Sequence, residues 1–265
     1  MRNLKNRTYL VTGAGSGMGR ELVLQLLDME CYIAAVDINK EALDETFDLA
    51  NVDKSRLSLH IADISSKDEI KRLKDEVIKH HKKLDGIFNN AGIIQPFVKF
   101  QDLNEKDIER VININTYGVL YMTKSFLPSI LESDQGIIAN TSSMGGFLPV
   151  PGQGVYGASK GAVKLFTEAL YAELLDTNVN VHVIMPGAIK TNISKNSGVN
   201  ISGGDSSSHK TLSAKDAAKT IIKGVKKEKL RILVGKDAKL MDKIYRFFPV
   251  FAIKMIYKQM KDLLN

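Results

Sequence analysis

Short runs of apolar residues alternate along this chain with longer stretches in which apolar positions recur every three or four residues. The runs cover residues 9–11, 33–36, 57–62, 86–88, 137–140, 179–185 and 231–234. The run at 9–11 reads as a buried strand, and the others as strands by their length and their place between helical stretches. Between them the helical period appears. Leu22, Leu26 and Met29 share one face after the first run, and a second helix starts at about Lys40. Ser65 and Ser66 offer caps, with Asp68 and Glu69 three residues on, for a helix ending near His81. A long helix from about Glu105 passes Pro128, and Ser213 with Asp216 forms a capping box before the last run. Strand and helix in alternation predict an α/β fold: a doubly wound parallel sheet of about seven strands with helices on both faces. The 265 residues show no linker that would divide them, so residues 1–235 read as one domain and 236–265 as a helical extension.

In such a sheet, ligands bind beyond the carboxyl ends of the strands, so the residues that end each run decide the chemistry. The first run passes into Thr12-Gly13-Ala14-Gly15-Ser16-Gly17-Met18-Gly19 and then a helix. Glycines between a strand and a helix let the backbone approach a pyrophosphate, and the helix N-terminus favours the anion. The candidates here are Gly13, Ser16, Gly17, Met18 and Gly19. The second run ends at Asp37, whose carboxylate suits ribose hydroxyls and repels a 2′-phosphate. No basic residue stands at position 16 or 38, and Arg20 reads as part of a solvated helix face. NAD is therefore expected over NADP. Asp63, Asn90 and Ser143 end later runs, and with Asp37 they should border one crevice.

Tyr156 and Lys160 are four apart, hence neighbours on one helix face. An ammonium beside a phenol should lower the tyrosine pKa from about 10, toward values where proton transfer is efficient. Tyr257 and Lys261 repeat the spacing in a lysine-rich tail without supporting residues, and that pair reads as chance.

The net charge of +7 changes the picture only at one end. Residues 215–265 carry 14 Lys/Arg against 5 Asp/Glu, while the preceding residues carry 23 against 25. No nucleic-acid-binding module accompanies the basic tail. The five histidines have no metal-ligand spacing, and Cys31, the one cysteine, lies in an apolar run as an inert thiol. A polar start and the absence of about 18–20 consecutive apolar residues make cytoplasmic residence the expectation.

Taken together, Thr12 to Gly19, Asp63, Asn89-Asn90-Ala91-Gly92, Asn115, Ser143, Tyr156 with Lys160, and Pro186-Gly187 with Thr191 resemble the short-chain dehydrogenase/reductase family, over about residues 5–235. The resemblance implies a Rossmann fold and an oxidoreductase transferring hydride between NAD(H) and a secondary alcohol or ketone. It places Gly13, Gly17 and Gly19 at the pyrophosphate, Asp63 and Ile64 at the adenine, and Asn90 along the cofactor. Pro186, Gly187, Ile189 and Thr191 fall at its nicotinamide end, Ile189 and Thr191 against the carboxamide. It implies that Ser143 hydrogen-bonds the substrate oxygen and Tyr156 transfers the proton. Lys160 lowers the tyrosine pKa and grips the ribose, and Asn115 positions a relay water. Asn113 competes for that last role, but Asn115-x-x-Gly118 matches the family pattern. A 3-oxoacyl reductase is the alternative within enzymes, disfavoured by Asp37. A silent cofactor-binding regulator is disfavoured because Ser, Tyr and Lys are all present.

Specificity is expected to lie in residues 93–99, 145–154 and 188–212, with Phe97 and residues 147–150 as apolar walls for a hydrophobic, steroid- or lipid-like substrate. Residues 194–210 read as a mobile loop. The tail beyond Val234 departs from the family core. Residues 250–264 read as a basic amphipathic helix that either contacts a membrane surface peripherally or packs on the body, covers the substrate mouth or joins an oligomer, and the uncharged segment 247–253 is expected to take an apolar substrate from such a surface. A homo-oligomer, dimer or tetramer, is expected.

Overall fold

The computed structural model describes residues 2–199 and 211–261. The chain runs β1 (Thr8–Thr12), α1 (Gly17–Asp28), β2 (Tyr32–Asp37), α2 (Lys40–Ala50), β3 (Leu57–Ile61), α3 (Lys67–His81) and β4 (Gly86–Asn89). It continues through α4 (Glu105–Ile112), a π-helical turn (Asn113–Gly118), α5 (Val119–Leu131), β5 (Ile137–Thr141), α6 (Gly154–Glu173) and β6 (Asn180–Pro186). There follow β7 (Ile189–Lys190), α7 (Ile193–Ser197), β8 (Leu212–Ser213), α8 (Ala214–Lys226), β9 (Arg231–Val234), α9 (Lys236–Phe247) and α10 (Pro249–Met260).

The seven long strands form one parallel sheet in the order β3-β2-β1-β4-β5-β6-β9, as expected of an α/β doubly wound fold. β7 and β8 pair separately. The strand order reverses between β1 and β4, so the ends of these strands diverge into a crevice. Both sheet faces are covered. Leu22, Leu26, Ile221 and Val225 pack on one, and Leu73, Val77, Met122 and Phe126 on the other. That two-sided burial is why a run such as 33–36 is unbroken in apolar character, although His60 and His182 are buried within β3 and β6.

Four expectations need correction. The long helix after Glu105 is two helices joined by the π-helical turn, which widens the backbone at Asn115. Residues 193–197 of the expected mobile loop are helical, and 200–210 lie outside the described residues. Ser66, not Ser65, caps α3; the Ser65 hydroxyl is turned back to Asp63. Finally, the tail holds two helices, because α9 precedes the expected one.

α9 begins after Gly235, whose φ of 108° only glycine adopts readily. Its apolar positions Ala238 and Met241 are buried at helical spacing among lysines that mask the period. α9 and α10 pack on each other and on residues 144–150 through Met241, Ala252, Ile256 and Leu148. Leu148, expected to face substrate, is fully consumed by this contact.

Candidate active site

A groove of about 510 Å³ lies at the carboxyl ends of β1 to β4. Gly13, Ser16, Gly17, Met18, Asp37, Asp63, Ile64, Asn90 and Thr191 line it, which brings together most of the residues assigned to a cofactor. Gly13 and Gly17 have φ of 67° and 53°, the left-handed region that favours glycine. Ser16 stands at the N-cap of α1 without a side-chain bond to its N–H groups, its hydroxyl instead accepting from Asn196 Nδ2 at 2.9 Å, and no acidic residue occupies the first turn, so the end of the helix is left for an anion. Asn90 hangs from Thr12, whose hydroxyl accepts both the Asn90 and the Ala91 N–H at 3.0 Å. The Asn90 Oδ1 is buried with no partner among the described residues, an acceptor awaiting a donor in the groove. These features fit a dinucleotide.

Asp37 ends β2 in the wall of the groove. Its Oδ2 accepts the Gly15 N–H at 2.9 Å and its Oδ1 the Asn39 N–H at 3.1 Å, which fixes the carboxylate. Arg20 is not on a solvated face. It lies partly buried against α2, its guanidinium paired with Glu45 at 2.7 Å and bonded to the Thr46 hydroxyl at 3.0 Å. The nearby cation is therefore already committed.

Several assigned residues stand outside the groove. Gly19 is a packing position: a Cβ there would come 1.9 Å from the Gly13 carbonyl oxygen. Gly187 faces Asp237, which accepts the Ala188 N–H at 2.6 Å, and Pro186 ends β6. Ile189 packs on the core. Ser143, Tyr156, Lys160 and Asn115 form a separate cluster adjoining the groove at Gly92 rather than lining one crevice with Asp37.

Two glycines mark where that cluster meets. A Cβ on Gly92 would lie 2.9 Å from Lys160 Nζ and 3.1 Å from Asn115 Oδ1. One on Gly145 would lie 3.3 Å from the Tyr156 ring and 3.5 Å from Ser143 Oγ. Asn115 is fully buried. Its Oδ1 accepts the Ile93 N–H, and its Nδ2 donates to the Ile93 carbonyl, both at 2.9 Å. Asn113, the competing candidate, lines the groove instead.

Burial pushes the Tyr156 phenol above its usual range, and the hydrogen bond with Ser143 pulls partly back. Burial also pulls the Lys160 ammonium down to about 8. The expected lowering of Tyr156 by Lys160 is not found. The ammonium donates instead to the Thr141 carbonyl at 3.0 Å. In this arrangement Tyr156 carries its proton at neutral pH, as a donor to a ketone oxygen requires.

The family profile described as short chain dehydrogenase matches residues 7–201. The chain belongs to the short-chain dehydrogenase/reductase family, whose members are NAD(P)-binding oxidoreductases. SadH of Mycobacterium tuberculosis is 36% identical over 257 residues, covering 93% of this chain and 92% of SadH. Epidermal retinol dehydrogenase 2 of Mus musculus is 34% identical over 194 residues, covering 72% of this chain and 62% of its own. The crystal structure of a short-chain dehydrogenase/reductase from Burkholderia phymatum in complex with NAD superposes with a TM-score of 0.83 at 24% identity, covering 93% of this chain and 96% of that one.

This short-chain dehydrogenase also uses side chains in ways that the sequence did not show. Asn89 Nδ2 donates to Asn140 Oδ1 at 2.8 Å and to Thr123 Oγ1 at 3.0 Å, and Asn140 donates to Thr167, a buried ladder locking β4 to β5, α5 and α6. Gln95, only 2% exposed, accepts the Tyr156 N–H with its Oε1 at 2.8 Å and donates to the Gly152 carbonyl at 3.0 Å. It caps the helix that carries Tyr156 from a distant loop, which no local capping pattern reveals. Gln95→Leu should leave that buried N–H unpaired and cost about 1–3 kcal/mol, read as a lower urea midpoint. Wild-type stability would remove Gln95 from this role.

Proposed function

We propose that this short-chain dehydrogenase transfers hydride between NAD(H) and an apolar secondary alcohol or its ketone. The carrying observation is that Lys160 and Asn115 meet at Gly92, in the wall of the groove that also holds Asp37, while Tyr156 and Ser143 meet at Gly145. NAD(H), bound there, supplies hydride exchange; the protein contributes orientation and proton movement. Asp37 would receive the adenosine ribose hydroxyls, the glycine turn and α1 the pyrophosphate, and Asn90 and Thr191 the nicotinamide half. Ser143 would hold the substrate oxygen with its hydroxyl. Tyr156 would give its phenolic proton to that oxygen in reduction and take it back in oxidation. Lys160, its ammonium held by the Thr141 carbonyl, would grip the ribose hydroxyls of the cofactor, and Asn115, clamped to Ile93, would keep the relay geometry.

The choice of NAD rests on Asp37, held by Gly15 and Asn39, and on Arg20 being paired with Glu45. A 2′-phosphate would meet a fixed carboxylate and an Arg20 already paired with Glu45. The same feature speaks against the 3-oxoacyl reductase reading, since biosynthetic reductions usually draw on NADPH. The apolar substrate is supported by Phe97 and Phe147, both partly exposed on loops that flank the cluster. The test is kcat/KM with NAD and NADP in wild type and Asp37→Ala. Wild type should prefer NAD strongly, and the variant should lose most of that preference. A wild-type preference for NADP, or an unchanged ratio in the variant, would overturn the assignment.

A further inference from the structure

The hairpin of α9 and α10 divides its apolar residues between two surfaces. Met241, Ala252 and Ile256 face the body and are buried against Leu148. At the turn between the helices the opposite holds. Phe247, Phe248, Val250 and Phe251 are 76%, 65%, 63% and 61% exposed, and Pro249 between them is exposed too. Five consecutive exposed apolar residues, three of them phenylalanine, form a contiguous patch of the kind that marks an interaction site. The two helices hold the tip in place, so its exposure belongs to the fold.

The charge around the tip is one-signed. Lys243, Arg246, Lys254, Lys258 and Lys261 are exposed, and residues 243–261 contain no Asp or Glu. Asp242 is buried and taken by Arg231 at 2.9 Å and Arg246 at 3.1 Å. From these observations we infer that the Phe247-to-Phe251 tip inserts into the surface of a bilayer containing anionic lipid, with the surrounding lysines on the headgroups.

A second copy of this chain fits less well, because a two-fold contact through the tip would bring the cationic rim of one copy onto that of the other. An anionic headgroup layer neutralises the same rim, each Lys or Arg near the surface adding about fivefold in partitioning at low salt. The expected amphipathic face of α10 is not the membrane face, since Ile256 and Met260 pack on the body. The contact is made by the turn.

The site gains a supply route from this docking. The hairpin's inner face rests on Met144, Phe147 and Val150, in the segment between Ser143 and Tyr156. A bilayer-docked tip holds the loop that flanks the catalytic cluster close to a reservoir of apolar alcohols. This consequence rests on the proposed apolar substrate; the docking itself does not.

The test is co-sedimentation of the full chain with vesicles of phosphatidylcholine alone and of phosphatidylcholine with phosphatidylglycerol, at low and high salt. The variants are Phe247→Ser/Phe248→Ser/Phe251→Ser and Lys254→Glu/Lys258→Glu. Wild type should pellet with the anionic vesicles and less so at high salt. Each variant should partition about tenfold less or weaker still, while turnover of a short water-soluble alcohol stays at the wild-type rate. Turnover of the soluble alcohol reports the active-site reading separately, so loss of either is distinguishable. A wild type that stays in the supernatant, or a triple variant that pellets like wild type, would overturn the docking. So would a tip that joins copies, seen by light scattering as a dimer that the triple variant dissociates while vesicle binding is unchanged.

Discussion

Tyr156→Phe is expected to fold, to bind NADH, and to lose turnover by about 10²–10⁴-fold, the usual contribution of a positioned acid–base group. The substitution removes one oxygen and leaves the ring that packs beside Gly145. The backbone bond from Tyr156 N–H to Gln95 is untouched, so α6 keeps its cap. What disappears is the proton that burial keeps on the phenol at neutral pH. Ser143 can still hold the substrate oxygen, but no phenolic proton is left to pass to it. Tyr257→Phe is the internal control. That side chain is 53% exposed on α10, and its loss should leave the rate unchanged. Initial rates of both variants, with NADH binding followed by nicotinamide fluorescence, check the expectation. Wild-type rates in Tyr156→Phe would place the chemistry elsewhere.

Gly19→Ala should weaken NADH binding by roughly tenfold or more while leaving Tyr156 and Lys160 in place. The added methyl would sit 1.9 Å from the Gly13 carbonyl oxygen, 2.6 Å from its carbon and 2.7 Å from Asn90 Nδ2. Two of these three are backbone atoms at the turn that opens α1, so no side-chain rotation relieves the clash. Forcing a methylene into such a contact typically costs about 1–3 kcal/mol, and here the strain falls on the loop that would carry the pyrophosphate. Fluorescence titration gives the Kd. An unchanged value would mean that the turn can open without affecting the cofactor, contrary to the tight packing of Gly13 against Gly19.

The sheet was legible in the sequence because short apolar-rich runs alternate with stretches of helical period, and all seven runs lie within a residue or two of their strands. Asp37, Asn90 and the glycine turn were legible because strand ends in such a sheet converge on one edge. The rest depends on contacts distant in sequence. Arg20 looks solvated in one dimension and is captured by Glu45 in three. Lys160 shares a helix face with Tyr156 as the spacing requires, yet its ammonium turns to the Thr141 carbonyl, a partner supplied by β5. Gln95 acts through a neighbour 61 residues away and has no local signature, and Gly19, marked by the glycine motif, packs on Gly13 rather than lining the groove. α9 was hidden by lysines as numerous as its buried residues.

The most direct measurement is a chain-length series of secondary alcohols, with initial rates of NADH formation read by absorbance at fixed NAD. If the site takes apolar alcohols with NAD, kcat/KM should climb with each added methylene, by up to about fourfold per CH₂ buried, until the pocket is filled. A series that stays flat or falls with length, or one that runs faster with NADP than with NAD, would contradict the account.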